Sequence, residues 1–193
     1  MSALSALGRN QLEKVMIQAR ESAENAAQKA LEMLAVAEQG PWPTMSAEER
    51  RLRVQLRAVE RRLGSPEALK HACAYEHWHR MLFARFLAEN NLLMYPDPTG
   101  PIPVPLEECE DLAADEGAAN GWELASRYAS RMLPQIFRPD SPVFELILPP
   151  EYQHELERLV SGLAQDVFSA SDSLGWVYQY WQAKRKDEVN KSG

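Results

Sequence analysis

Four arginines recur at helical spacing in the first third of the chain and could bind phosphate groups. They are Arg50, Arg53, Arg57 and Arg61. At about 100° per residue they fall within one narrow arc of a helix. A guanidinium fork matches phosphate oxygens well, so contact with a DNA backbone or an acidic partner is one interpretation. The alternative is a solvated face that pairs with Glu49 and Glu60.

A second basic cluster follows the aromatic segment Leu174–Trp181. Its members are Lys184, Arg185 and Lys186. They are further candidates for DNA contact, because consecutive cations beyond a docked helix can reach phosphates.

The aromatic segment itself predicts a helix with two contact faces. One apolar face has residues at i, i+3, i+4 and i+7, which are Leu174, Val177, Tyr178 and Trp181. Ser171 or Asp172 can cap the start of this helix. Trp176 and Tyr180 lie off the apolar face and have no obvious partner in the chain, which makes them candidates for an interface with another domain.

Histidines and cysteines do not predict a metal or disulfide site. His77 and His79 are two residues apart, so on a helix they point about 200° apart and cannot share an ion. Cys73 and Cys109 are the only cysteines and form no ligand pattern. Cys73 is predicted to be a plain buried thiol.

Three segments carry a resemblance to a known family. They are Leu174–Trp181 with the basic residues after it, Ala74–Asn90, and Met132–Phe137 followed by Phe144–Pro149. In this order they resemble parts of large adenine-specific DNA methyltransferases, the PglX-like enzymes of BREX phage defence and their relatives in DISARM and restriction systems. The resemblance covers roughly residues 66–190. In that family the last segment closes an N-terminal helical region and leads into the methylase domain.

The resemblance does not extend to the catalytic domain of the family. Such an enzyme needs a Gly-rich loop for S-adenosylmethionine and an Asn/Asp-Pro-Pro-Tyr/Phe loop that holds the flipped adenine. In this chain Leu148-Pro149-Pro150-Glu151-Tyr152 has Leu where the amide is required, and it is interpreted as a loop that leads into a helix. No catalytic residue and no cofactor is therefore assigned to the chain. S-adenosylmethionine is expected only for a missing catalytic domain after residue 193.

The sequence predicts that the elements carrying the candidate residues are helices. Asn10 with Glu13 predicts a capping box for an Ala-rich helix to about Glu38, whose small-residue stripe suits packing or homodimerisation. Ser46 with Glu49 predicts a second capping box, for a helix that ends near Gly64.

The later chain predicts further helices separated by one long loop. Ser65-Pro66 starts a central core helix to about Asn90, followed by a Pro-rich and acidic loop over 95–118. Asn120 and Pro150 start two more helices before the aromatic one. The predicted fold is all-α, an irregular bundle of about six helices. The expected division is an N-terminal helical hairpin, 1–64, and a helical domain, 65–193.

Composition sets the remaining limits. The net charge is −7, but residues 1–64 carry ten Lys/Arg against eight Asp/Glu, whereas residues 95–175 carry four against fifteen. The net negative charge of the whole chain argues against an indiscriminate nucleic-acid binder. No segment reaches the ~20 apolar residues of a membrane span, and no signal peptide is recognised, so a cytoplasmic location is predicted. The expected partners are the missing methyltransferase domain, DNA, other defence-system subunits and a second copy of the chain. The alternative function is a stand-alone helical interaction or dimerisation module.

Overall fold

The fold is all-α, as predicted. The computed structural model describes the backbone of residues 2–191 and the side chains of residues 2–182. Within that part there are ten helices, of which six have twelve or more residues. The six long helices are α1 (Ala6–Met33), α2 (Ala47–Leu63), α3 (Pro66–Glu89), α5 (Gly121–Met132), α8 (Pro150–Ser161) and α10 (Ser173–Lys191). The short ones are α4 (Leu106–Leu112), α6 (Pro134–Phe137), α7 (Pro142–Glu145) and α9 (Gln165–Ser169).

Helix α1 begins and ends earlier than its sequence indicated. The Ser5 side chain accepts a hydrogen bond from the Gly8 amide and caps the helix, so the predicted cap at Asn10 is wrong. The regular helix stops at Met33, and Ala35 then adopts a φ of 52°. The chain after α1 therefore turns before it reaches the Gly-Pro stop.

The small-residue stripe of α1 packs inside the chain. Its members have relative exposures between 0% and 2% and are Ala19, Ala23, Ala26, Ala27 and Ala30. Helix α1 contacts α3, α8 and α10. Small side chains let the helix axes approach closely, which explains how α1 can serve as a packing helix for three neighbours.

Two apolar clusters meet along α3. The larger one joins α1, α2, the first half of α3, α8 and α10, so residues on both sides of position 64 share one core. The smaller one joins the end of α3 to α5 through Leu87, Leu124 and Tyr128. Ser65 caps α3 and Pro66 occupies its first turn, as predicted. Helix α3 is therefore the central element of the fold.

The predicted Pro-rich loop contains a small hairpin and a short helix. Strand β1 (Met94–Tyr95) pairs antiparallel with β2 (Ile102–Pro103). The acidic stretch forms α4, which packs on α5. At this contact a Cβ on Gly121 would lie 2.7 Å from the Glu110 backbone nitrogen, so only glycine permits the approach.

The last third follows the predicted helix starts. Asn120 caps α5 by accepting from the Glu123 amide. Pro150 sits in the first turn of α8, so the Leu148-Pro149-Pro150 segment is a loop that leads into a helix start, as interpreted from the sequence. Among the residues that the structure describes, no helix combines the length and apolar character needed to cross a bilayer.

Candidate functional site

Helix α2 carries most of the candidate phosphate-binding arginines, and its ends are fixed as predicted. Ser46 accepts from the Glu49 amide at 3.1 Å, and Glu49 accepts from the Ser46 amide at 2.8 Å. This reciprocal pair is the predicted capping box. Gly64 ends the helix with a φ of 100°. The helical phase of the arginines is therefore the one used in the sequence analysis.

Two of the four arginines bind the chain segment that follows α1. Arg53 is only 6% exposed and donates to the carbonyl oxygens of Ala35 at 2.9 Å and Glu38 at 2.6 Å. Arg57 donates to Val36 O at 3.0 Å and to the same Glu38 O at 2.6 Å. Carbonyls beyond a helix C-terminus lack helical partners and carry partial negative charge, so cations stabilise them.

Arg50 acts in the same way further along the connection. It donates to Met45 O at 3.1 Å, with longer contacts of 3.4 Å to Trp42 O and 3.3 Å to Pro43 O. Three arginines of the stripe thus hold the α1–α2 connection. Neither interpretation made from the sequence anticipated this arrangement. Because Arg53 is buried and donates from both Nε and Nη2 to these carbonyls, it cannot present this edge of its guanidinium to a phosphate without breaking these bonds.

The exposed cations of α2 are a different set. Arg61 is exposed, and so are Arg51 and Arg62, which lie outside the predicted arginine stripe. Within the described residues none of the three has a hydrogen-bond or ion-pair partner. Arg61 and Arg62 also lie in the last turn, where they stabilise the negative end of the helix dipole. Leu52 on the buried face is flanked by exposed Arg51 and by buried Arg53, so no local signal separates the two arginines.

Helix α10 docks on the core through the predicted apolar face. Trp181 is 6% exposed and stacks on Trp78, with ring centroids 4.2 Å apart and planes 15° apart. Tyr178 meets Trp78 edge-on at 6.0 Å. Buried Arg20 donates to the Trp181 carbonyl at 2.8 Å, a contact that no local pattern in the sequence predicts. The aromatic stack and this cation together fix α10 against α1 and α3.

The second aromatic pair of α10 has partners in the chain, so the prediction that it has none is wrong. Trp176 donates from its indole N–H to Asp172 Oδ2 at 2.8 Å, and the Arg9 guanidinium lies 5.1 Å from its ring centroid. Trp176 and Tyr180 stack at 5.7 Å and pack, half-buried, against the larger core. The hydrogen bonds from the Leu4 amide and the Trp176 indole hold the pKa of Asp172 below its usual value.

The other candidate cations of α10 lie outside the described side chains. The backbone of α10 continues to Lys191. The side chains of Lys184, Arg185 and Lys186 are outside the described residues, so their role in DNA contact stays a prediction.

His77, His79 and Cys73 of α3 occupy buried positions. Burial lowers the pKa of His77 to about 3, with a further contribution from the charge of Arg80, while a 2.9 Å contact between His77 Nε2 and Val143 O acts in the opposite direction. Burial raises the pKa of the Cys73 thiol to about 12, as expected for an inert buried cysteine. In the part of the chain that the structure describes, no three His, Cys, Asp or Glu side chains are grouped to hold a metal ion.

Comparison with protein-family models, with curated proteins and with solved structures finds no match for the chain. The functional assignment therefore depends on the residues and the geometry described above.

Proposed function

We propose that the chain is a non-catalytic helical domain of a SAM-dependent DNA adenine methyltransferase of phage-defence or restriction type. In this role it acts as a scaffold for the catalytic domain and contributes contacts to the DNA backbone. A cytoplasmic location fits this role.

One observation supports the proposal most directly. The two segments with the clearest resemblance, 74–90 on α3 and 174–190 on α10, are far apart in sequence but pack against each other. The Trp78–Trp181 stack lies at the centre of this contact. Segments that resemble one family in the same order, and that also build one core, are expected to have been selected as one structural unit.

The exposed arginines of α2 support the DNA-contact part of the proposal. We assign phosphate contact to Arg51, Arg61 and Arg62, with Arg50 at the edge of this surface. Arg53 and Arg57 are given a structural role instead, because their guanidinium groups hold backbone carbonyls. The acidic middle of the chain restricts this contact to the α2 side and to the basic end of α10.

Salt dependence of DNA binding tests the phosphate contacts. Duplex DNA labelled with fluorescein is titrated with the full chain at several salt concentrations, and affinity is followed by anisotropy. Each phosphate contact removed should reduce the log–log slope by ~0.9. Replacing Arg51, Arg61 and Arg62 with Gln together should therefore reduce the slope by up to roughly three. The matched control is Arg158→Gln, an exposed arginine on α8 that pairs with Glu155. If the slope is the same in the triple variant and the control, these arginines form a solvated surface and do not contact phosphates.

Cofactor binding and the coding sequence test the rest of the proposal. Calorimetry should detect no binding of S-adenosylmethionine to this chain, since both loops of that chemistry are missing from its sequence. The reading frame after Gly193 should encode a Gly-rich loop and an Asn-Pro-Pro-Tyr motif. A stop codon directly after Gly193 would contradict the proposal.

A second candidate is a stand-alone helical interaction module, and one observation favours it. Trp176 and Tyr180, the residues proposed to attach a catalytic domain, are already packed against the core and Arg9. The version of this alternative that dimerises through the α1 alanine stripe is not supported, because that stripe is buried within the chain. Sedimentation of the chain alone, which should show a monomer, tests that version.

A further inference from the structure

Arg80, in the middle of α3, has no charged partner at short range. Its guanidinium carbon lies 5.0 Å from the centroid of the Phe144 ring on α7. Within the described residues no carboxylate is close enough to form an ion pair with it, and no hydrogen bond engages its side chain. Helices α5 and α7 both pack on α3, and Arg80 is half-buried beside them. A cation in such a place is costly unless something compensates its charge.

The nearest carboxylates are engaged elsewhere. Glu76 accepts from Arg138 Nη2 at 2.8 Å. Glu123 accepts from Arg127 Nη2 at 2.6 Å and from the Ala119 amide at 2.7 Å. These acids act on Arg80 only through space, and burial lowers the pKa of the Arg80 guanidinium despite them.

Two adjoining cavities open beside Arg80. One has a volume of about 340 Å³ and extends toward the exposed Ile147, and the other has a volume of about 460 Å³ and extends toward Arg131. Both are lined by Arg80, Glu123, Ser126 and Phe144. Volumes of this size suit a small organic ligand.

The charged donors that remain for a ligand are two arginines. The Ser126 hydroxyl donates to Trp122 O and the Ser130 hydroxyl donates to Ser126 O, each at 2.8 Å. Arg131 is exposed, and its one contact in the described part of the chain is with the Tyr128 ring at 5.9 Å. Arg80 and Arg131, which both line the larger cavity, can therefore direct free N–H groups at an anion.

We propose that this cleft between α3, α5 and α7 binds a small molecule that carries a carboxylate or phosphate group. The anion lies on the Arg80 guanidinium, in the bidentate geometry that such groups prefer. The apolar part of the ligand lies against Phe144 and Pro134, which line the same cavity. This site is independent of the proposed function and of the arginines of α2.

Glu123 and Glu145 both line the larger cavity and oppose an anion, and Glu145 provides a useful variant because Glu123 is already paired with Arg127. Glu145 is exposed, lines the larger cavity and has no hydrogen-bond or ion-pair partner among the described residues. Its charge repels a bound anion, so Glu145→Gln should strengthen binding. A gain in affinity cannot come from misfolding, which makes this variant the complement of a loss-of-function one.

The test is isothermal titration of the full chain with phenyl phosphate, benzoate and inorganic phosphate at constant ionic strength. Saturable binding of phenyl phosphate but not benzoate assigns a phosphate ligand, and the reverse assigns a carboxylate. Arg80→Gln should weaken binding about tenfold or more, as expected for loss of a charge-assisted bond. Arg158→Gln should bind as the wild type does.

Three outcomes would overturn the proposal. These are no saturable binding of any of the three compounds, equal weakening by Arg80→Gln and Arg158→Gln, and an unchanged or lower affinity of Glu145→Gln. The last result decides the question even if Arg80→Gln proves unfolded by near-UV circular dichroism.

Discussion

Replacing Arg53 with Ala should destabilise the protein far more than replacing Arg61, although both belong to the same sequence stripe. Arg53 is 6% exposed and loses bonds of 2.9 Å and 2.6 Å to Ala35 O and Glu38 O. Neither carbonyl is left fully unpaired. Ala35 O still accepts from the Glu38 amide at 3.1 Å, and Glu38 O still accepts from Arg57.

These contacts determine how much each substitution should lower the free energy of unfolding. A hydrogen bond to a charged group contributes about 1.5–3 kcal/mol, and because the carbonyls keep other donors the lower part of that range applies to each bond. Together with the buried aliphatic stem, the expected cost of Arg53→Ala is about 2–4 kcal/mol. Arg57→Ala should cost about 1 kcal/mol because its side chain is half-buried. Arg61→Ala should stay within about 0.5 kcal/mol, as is usual for an exposed position. Ala and Arg have similar helix propensities, so helix formation does not confuse the comparison.

The assay is urea unfolding followed by far-UV circular dichroism, with the midpoint and slope fitted for each variant. The expected order of destabilisation is Arg53, then Arg57, then Arg61. Equal destabilisation by Arg53→Ala and Arg61→Ala would refute the assignment of Arg53 to the α1–α2 connection. DNA binding should show the opposite pattern, with a loss for Arg61→Gln but none for Arg53→Gln at temperatures where both are folded.

Three further predictions follow from other parts of the structure. Trp181→Ala should lower the free energy of unfolding by about 3–5 kcal/mol in urea, since it removes a buried ring from the stack on Trp78. Trp176 is half-buried, so Trp176→Ala should cost only about 1–2 kcal/mol through its lost hydrogen bond and cation–π contact. Equal costs for the two variants would contradict the two-sided description of α10. His77 has an ordinary pKa of 6.5 when unfolded and about 3 when folded, so below pH 6.5 the unfolded state binds a proton that the folded state does not. The free energy of unfolding should therefore fall as pH decreases toward 3, by up to ~1.4 kcal/mol per pH unit from this group. His77→Gln should lose less stability than the wild type between pH 7 and pH 5. An identical loss in the two proteins would exclude His77 as the cause. Cys73 and Cys109, whose burial raises the thiol pKa to about 12 and about 11, should not react with a thiol-specific disulfide reagent until the protein is unfolded in denaturant, and prompt reaction in the native state would show that they are accessible.

Local signals in the sequence predicted the helix boundaries well. The Ser46–Glu49 capping box, Pro66 in a first turn and the Asn120 cap are all confirmed. Each depends only on neighbouring residues and on backbone groups that a helix start always leaves open. The start of α1 was misplaced because Ser5 offers an equivalent cap five residues before Asn10, and two caps this close together cannot be ranked from local pattern alone.

The role of the arginines could not be predicted because it depends on tertiary structure. The spacing of Arg50, Arg53 and Arg57 correctly places them on one arc, but it does not say what faces that arc. The connection after α1 folds back over α2 and presents open carbonyls to it, which no local pattern encodes. Arg20 illustrates the same limit. Its buried guanidinium donates to the Trp181 carbonyl, which is 161 residues away in sequence.

The same reasoning explains the aromatic residues of α10. Periodicity identified the face of Trp181 because an apolar stripe has to be buried somewhere. Trp176 lay off that stripe, and whether it had a partner depended on where the start of α1 would lie. The structure places Arg9 over its ring and links Leu4 to Asp172, so the first residues of the chain complete the surface that covers α10.

This two-sided docking bears on how a helical scaffold could work. Helix α10 is held on one side by the Trp78–Trp181 stack and on the other by Arg9 at Trp176, while Arg20 binds the Trp181 carbonyl. Three contacts within two turns of helix fix both its direction and its rotation about its axis. The backbone then continues as the same helix to Lys191. Because a helix transmits orientation along its length, a partner that binds beyond Gln182 would be held at a defined angle to α1 and α3. Loosening Trp176 alone should therefore disturb the orientation of such a partner more than its affinity, and this difference separates a scaffold from a simple tether.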